Sequence, residues 1–193
     1  MDSGFPITLD LRGKRCLVLG TGEAADGKAL ALEACGASVF RLPEYRPGCL
    51  EGFFLAVAAG LDRSPNAEIF VEGERSGVLV NCVDDPPHCR FIFPALLRRG
   101  ELTVAVSTGG ACPALAVRLR ERMEREFGPE YGEFLELARS LREPLARSVP
   151  EFDQRRRLWY ALVDSEILGL LRDGRREEAF QMAKALMPPD ALR

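Results

Sequence analysis

Three short stretches of the chain carry residues whose types and spacing could do chemistry. The first is Gly20-Thr21-Gly22-Glu23-Ala24-Ala25, a G-x-G-x-x-A run. Gly20 would permit a tight turn and Gly22 would let a pyrophosphate approach the backbone. The small Ala25 would let a helix pack closely on a strand. Phosphates at the start of that helix would meet backbone N–H groups and the positive end of the helix dipole. The chemistry is dinucleotide binding, with Gly20, Gly22, Glu23 and Ala24 lining the pyrophosphate and ribose. Roughly 20 residues further on, where such folds place an acid for a ribose hydroxyl, the first one available is Glu44. Arg41 lies nearby, so NAD is favoured over NADP without being fixed. The second stretch is Asn81-Cys82-Val83-Asp84-Asp85-Pro86. A carboxylate there, Asp84, could accept a proton as a general base, whereas Asp85 better suits a turn ahead of Pro86. The third is Ser107-Thr108-Gly109-Gly110. It could present N–H groups and hydroxyls to an acidic ligand, or be a plain turn from strand to helix.

Rival chemistries fit less well. Gly22-x4-Gly27-Lys28-Ala29 stops one residue short of a P-loop, because Ala29 lacks the hydroxyl that would ligate Mg²⁺. Lys28 then reads as a solvated helix residue, and a purely structural glycine turn remains the other alternative. None of Tyr45, Tyr131 and Tyr160 has a Lys four residues later, which excludes a short-chain dehydrogenase pair. Cys82, His88 and Cys89 lie near one another with Pro86 and Pro87 between. No metal site is expected there, and His88, the single histidine, reads as a loop residue.

The elements that must position these stretches follow from periodicity. Arg15–Leu19, residues 37–42, 53–59 and 78–83, and residues 102–107 are short apolar runs that read as strands. The first is followed by a helix-prone segment, residues 23–35, ending at Gly36. Apolar strands alternating with helices predict a parallel sheet covered on both faces. From Pro113 onward the spacing predicts helices only: 113–127, then one around Tyr131–Leu141. A Ser148-x-x-Glu151 capping box then opens a wide apolar stripe from Leu158 to Leu171. A last helix is expected from Arg176 to Met187, before Pro188-Pro189.

Composition agrees. The chain of 193 residues has 47% apolar residues, a net charge of −3 and six cysteines without a CxxC pair. A net negative chain is not built to cover a nucleic-acid backbone. No apolar run approaches the ~20 residues of a membrane span, and no signal segment is visible, so a cytoplasmic protein with reduced thiols is expected. Of 26 basic residues only Lys14, Lys28 and Lys184 are lysine. The arginine bias reflects either genome composition or a ligand rich in carboxylates or phosphates.

Several stretches line up in order: Leu9-Asp10-Leu11-Arg12-Gly13, GTGEAA, Ala58-Ala59, NCVDDP, Phe91-Ile92-Phe93-Pro94-Ala95, and VAVSTGG followed by Pro113-Ala114-Leu115-Ala116. Together they resemble the precorrin-2 dehydrogenase / sirohydrochlorin ferrochelatase family, the dehydrogenase part of siroheme synthases. The resemblance covers nearly the whole chain. It implies an α/β fold: a Rossmann-type parallel sheet in an NAD-binding domain (1–93), a dimerisation segment (94–127) and a small all-helical domain (128–193). It implies a homodimer that oxidises the tetrapyrrole precorrin-2 to sirohydrochlorin with NAD⁺, with Fe²⁺ insertion left open. It further implies Asp84 as the catalytic residue and places Tyr45 and Ala59 with Glu44 around the cofactor. Ser107, Thr108 and Gly109 fall at the substrate. The eight carboxylates of precorrin-2 give Arg118, Arg120, Arg122 and Arg125 a candidate partner, against which stands a solvated face of ion pairs with Glu121, Glu124 and Glu126. The chain departs from the family at Gly60, where Thr often follows the two alanines, and at Gly27, where Arg is frequent. A non-catalytic dinucleotide sensor or tetrapyrrole carrier on the same fold is the alternative function.

Overall fold

The run RCLVL forms the first strand, β1 (Arg15–Leu19), an inner strand of a parallel sheet. It leads into α1 (Glu23–Glu33), β2 (Ser38–Leu42), β3 (Leu55–Ala58), α2 (Asn66–Ser76) and β4 (Leu79–Cys82). The computed structural model describes residues 4–60, 62 and 64–189. The run Asp62-Arg63-Ser64-Pro65 reads in sequence as a turn leading into α2, and its Arg63 lies outside the described residues.

All four strands pair in parallel in the order β2-β1-β3-β4. Side chains alternate across the sheet, so Cys16 and Val18 join Ala25, Ala29 and Leu32 of α1 on one face. Leu17 and Leu19 join Ile69 of α2 on the other. Both faces are covered, which is why β1 and β3 read as continuous apolar runs. Gly73 brings α2 hard onto β4: a Cβ there would stand 2.3 Å from Val80 Cγ2. The connection from β1 runs outward to β2, and the connection from β3 runs outward to β4 on the opposite side. Such a reversal opens a crevice at the carboxyl ends of the central strands, where sheets of this kind bind ligands.

The chain divides into two units. One runs to Phe93 and takes in Gly109–Cys112; the other holds Pro94–Thr108 and the chain from Pro113 on. The fifth strand expected for the parallel sheet belongs to the second unit instead. It is β6 (Leu102–Val106), and it pairs antiparallel with β5 (Ala95–Arg99) in a separate two-stranded sheet. β5 itself escapes a reading of the sequence because Pro94 precedes it and two arginines end it; only its pairing with β6 makes it a strand.

Among the described residues five helices complete the second unit: α3 (Pro113–Glu126), α4 (Glu130–Ser148), α5 (Phe152–Val163), α6 (Ile167–Arg172) and α7 (Arg176–Leu186). Phe134, Leu141, Leu145, Leu162, Ile167 and Leu171, with Ala179 and Ala183, form the core of α4–α7. The structure corrects two expectations in this region. Ser148 is the last residue of α4 rather than a cap on the next helix, and its hydroxyl donates to the Pro144 carbonyl at 3.0 Å. α5 starts after Glu151 with no side-chain cap. The apolar stripe is also two helices, not one. The chain turns between Val163 and Ile167, where the Ser165 hydroxyl donates to the Leu162 carbonyl at 2.7 Å.

Glu130, only 5% exposed, opens α4 and accepts two hydrogen bonds from Arg172, at 3.0 and 2.9 Å. Burial pushes its carboxyl up, but backbone N–H donors and Arg172 outweigh that, and the net direction is down. A depressed carboxylate contributes stability that is complete above its unfolded value, near 4.5, and lost as pH falls through the folded one. Glu130→Ala is expected to cost about 2 kcal/mol at neutral pH, and much less once the pH falls below the folded value. Urea unfolding at several pH values checks this; an equal loss at every pH would contradict it.

Candidate active site

The loops at the carboxyl edge of the parallel sheet are locked to one another through their glycines. Gly20 has φ +106°, and a Cβ on it would lie 1.9 Å from the Ala59 carbonyl oxygen. Gly60 has φ +75°, and its Cβ would lie 2.2 Å from the carbonyl oxygen of Thr21. The turn after β1 and the turn after β3 therefore touch backbone to backbone, and Gly60 is a packing requirement of this chain. Ala59 contributes its backbone alone. Its N–H donates to Leu19 and its methyl is buried against the α1 side of the core.

Gly22 differs from both. It has φ +87° yet meets nothing within 4 Å. It sits at the N-cap of α1, where no side chain caps the helix. An uncapped helix start facing open space, with Ala25 buried behind it, fits a pyrophosphate. Glu23 and Ala24, in the exposed first turn, stand beside it. Asp26 of the same turn pairs with Arg41 of β2.

Glu44 is exposed just past β2. Tyr45 is half-buried, and its hydroxyl donates to Glu72 of α2 at 2.7 Å. Glu72 also accepts from the backbone N–H groups of Gly48 and Leu50, at 2.9 and 2.8 Å. That carboxylate pins the segment after β2 onto α2. Burial and the Glu72 carboxylate both raise the Tyr45 hydroxyl, which stays protonated. Beside it runs an open groove of about 530 Å³ lined by Tyr45, Pro47, Ala67, Glu68 and Val71.

Asp84 follows β4 by two residues and is exposed at the carboxyl edge. With φ +59° it is the one non-glycine residue with positive φ among the described residues. That conformation costs most residues of the order of 1 kcal/mol and is borne most easily by Asp and Asn. Its neighbours hold it there. The Asp85 carboxylate accepts from Asn66 at 2.9 Å and bonds His88 Nδ1 at 2.8 Å. Buried Asn81 donates to the Phe91 carbonyl at 2.8 Å, drawing the returning chain against β4. Cys82 and Cys89 flank this turn as buried thiols, and burial pushes Cys82 up to about 12. His88 stands in a short 3₁₀ turn, Pro86–His88. Among the described residues no three His, Cys, Asp or Glu side chains gather as a metal site.

Lys28 is not the solvated residue that the sequence suggests. It is half-buried, with its Nζ 4.0 Å from the centroid of the Phe93 ring. Sequence spacing within α1 carries no sign of this, because Phe93 arrives from the far end of the unit.

The Ser107-Gly110 stretch is divided. Ser107, exposed, and Thr108, half-buried, belong with the second unit. Gly109 and Gly110, with φ +62° and +87°, belong with the first, where a Cβ on Gly110 would meet Pro86 at 4.0 Å. On α3, Arg118 pairs with Glu121 at 2.8 Å and Arg120 pairs with Glu124, so these two side chains form surface ion pairs.

Comparison with known proteins adds three family models. A putative NAD(P)-binding family matches residues 7–43 and 40–95, a sirohaem biosynthesis protein central region matches 99–126, and a sirohaem synthase dimerisation region matches 130–187. The name of that last region falls on α4–α7, whereas residues 94–127 hold the hairpin and α3. The siroheme synthase of Chromobacterium violaceum is 36% identical over 88% of this chain and 41% of its own length. That of Methylococcus capsulatus is 37% identical over 91% of this chain and 41% of its own. The chain thus spans about two fifths of these curated relatives. A solved structure named SirC, precorrin-2 dehydrogenase, matches with a TM-score of 0.71 and 20% identity, covering 94% of this chain and 100% of that one. At that identity the likeness concerns the fold. Among the described residues no helix is long and apolar enough to cross a membrane.

Proposed function

The chain belongs to the precorrin-2 dehydrogenase and siroheme synthase family, and on that premise we propose that it oxidises precorrin-2 to sirohydrochlorin with NAD⁺. The observation that carries this reading is the juxtaposition within one unit of an uncapped helix start at Gly22 and a carboxylate, Asp84, held in a left-handed turn at the same sheet edge. The proposal includes a homodimer joined through the second unit, supported by the match over residues 130–187, and a cytoplasmic location.

The oxidation removes two electrons as a hydride and releases a proton. Bound NAD⁺ supplies the hydride acceptor. The backbone of Gly20 to Ala24 holds the phosphates, and the Gly20–Ala59 and Gly60–Thr21 contacts keep that loop rigid. Asp84 takes the proton, which spares the ring system a cationic product.

NADH fluorescence tests the cofactor half. Titrated with the protein, NADH is expected to saturate at one site per chain, and NADPH to bind more weakly, on the reading that Glu44 receives the ribose hydroxyls and would repel a 2′-phosphate. Absence of saturable NADH binding would contradict the proposal.

A further inference from the structure

We propose that Glu72 is the positioning residue for the adenosine end of the cofactor: its carboxylate holds residues 45–50 against α2 and so shapes the groove that receives the nucleoside. The inference rests on the dinucleotide reading above and adds the residue that builds the far half of that site. Parallel strands are usually joined through a helix, but the connection from β2 to β3, residues 43–54, has none. Two of its backbone N–H groups find their partner outside the segment, in Glu72 of α2. One carboxylate oxygen accepts from the Tyr45 hydroxyl at 2.7 Å and the Gly48 N–H at 2.9 Å, and the other accepts from the Leu50 N–H at 2.8 Å. Leu50 is fully buried beside Leu17, Leu19 and Ile69, which anchors one end of the pinned segment in the core. Charge-assisted bonds of this kind fix geometry more firmly than neutral ones. Burial pushes the Glu72 carboxyl up, but its three donors outweigh that, the net direction is down, and it stays an acceptor at neutral pH.

The groove of about 530 Å³ lies between that segment and α2. Tyr45 stands just past the carboxyl end of β2 and Ala67 in the first turn of α2, so the groove reaches the sheet edge that carries Gly20 and Gly22. In sheets of this kind the acid for the adenosine ribose follows the second strand, so the adenosine is the half of the cofactor that lies toward the groove. Pro47, Ala67 and the exposed Val71 give it apolar walls for a flat base. Glu68 on its rim repels phosphate and offers an acceptor to an amino group, which suits adenine.

The test divides the cofactor. Glu72→Gln keeps the shape of the side chain and replaces one acceptor by a donor. It is expected to weaken NADH binding about tenfold, and to weaken AMP, measured as a competitor of NADH, by the same factor. Reduced nicotinamide mononucleotide, which lacks the adenosine, should bind within about twofold of its wild-type affinity. A loss shared equally by the mononucleotide, or AMP binding left unchanged, overturns the proposal. Should the variant fail to fold, the wild-type protein decides. NADH and AMP are expected to slow amide hydrogen exchange at Gly48 and Leu50 by about threefold or more, and the mononucleotide to leave it unchanged. Equal exchange with all three ligands overturns the proposal. Wild-type protein that binds NADH without turning over precorrin-2 would strike the dehydrogenase reading and leave this test intact. Wild-type protein that binds neither NADH nor AMP would strike the cofactor reading and the proposal together.

Discussion

Asp84→Asn is expected to lower the rate of NADH formation by about 10²–10⁴-fold, the range for removing a general base, while NADH binding stays within about twofold. Asn is the right replacement because Asp84 has φ +59°, and Asn tolerates the left-handed region almost as well as Asp. Asp84→Ala would mix two effects, loss of the base and backbone strain in the turn that Asn81 and Asp85 brace. The side chain is exposed at the sheet edge, so the thermal midpoint of Asp84→Asn should stay close to that of the wild type. Steady-state kinetics, NADH titration and a melting curve on one preparation check all three. Turnover that survives the change would remove Asp84 from the chemistry.

The largest structural effect is expected at Gly20. An added methyl would sit 1.9 Å from the Ala59 carbonyl oxygen, and φ +106° is itself closed to alanine. Neither the turn after β1 nor the one after β3 can yield without breaking the contact that locks them. Gly20→Ala is expected to destabilise the first unit by about 3 kcal/mol or more and to abolish NADH binding. Gly22→Ala supplies the contrast. Its Cβ meets nothing within 4 Å, so backbone strain of about 1–3 kcal/mol, from φ +87° with ψ −177°, is the whole structural cost. The methyl nevertheless fills the space left for a pyrophosphate, so binding is lost with the fold retained. Urea unfolding and NADH titration of both variants separate these outcomes; equal unfolding midpoints for the two would contradict the assignment of Gly20 to packing and Gly22 to phosphate.

What could be read from sequence was local. The turn from β1 into α1 announces itself because three small residues fall at a fixed spacing between an apolar run and a helix-prone one. Asp84 is legible for a similar reason, as a carboxylate directly after a strand. Long-range pairing was not legible. β5 carries two arginines and follows a proline, and nothing in its own five residues says that Leu102–Val106 lies across from it. For the same reason nothing within β6 tells that it pairs with β5 and not with the parallel sheet. Ser148 and Glu151 have the spacing of a capping box, but α4 extends through Ser148 and spends its hydroxyl on Pro144. Lys28 shows the limit at the site itself: its helix position suggests solvent, and only the approach of Phe93 makes it half-buried. Gly60, a departure from the family pattern, gains its reason only from the 2.2 Å approach of a Cβ there to Thr21.

The measurement closest to the central claim is anaerobic turnover of precorrin-2, generated in place by a separate methyltransferase, with NAD⁺ present. NADH and the sirohydrochlorin spectrum are followed together. A dehydrogenase predicts that both appear in step, one NADH for each sirohydrochlorin, and that neither appears when NAD⁺ is omitted. A chain that binds NADH yet forms none in the presence of precorrin-2 would be a sensor or carrier on this fold, and the proposed reaction would be wrong.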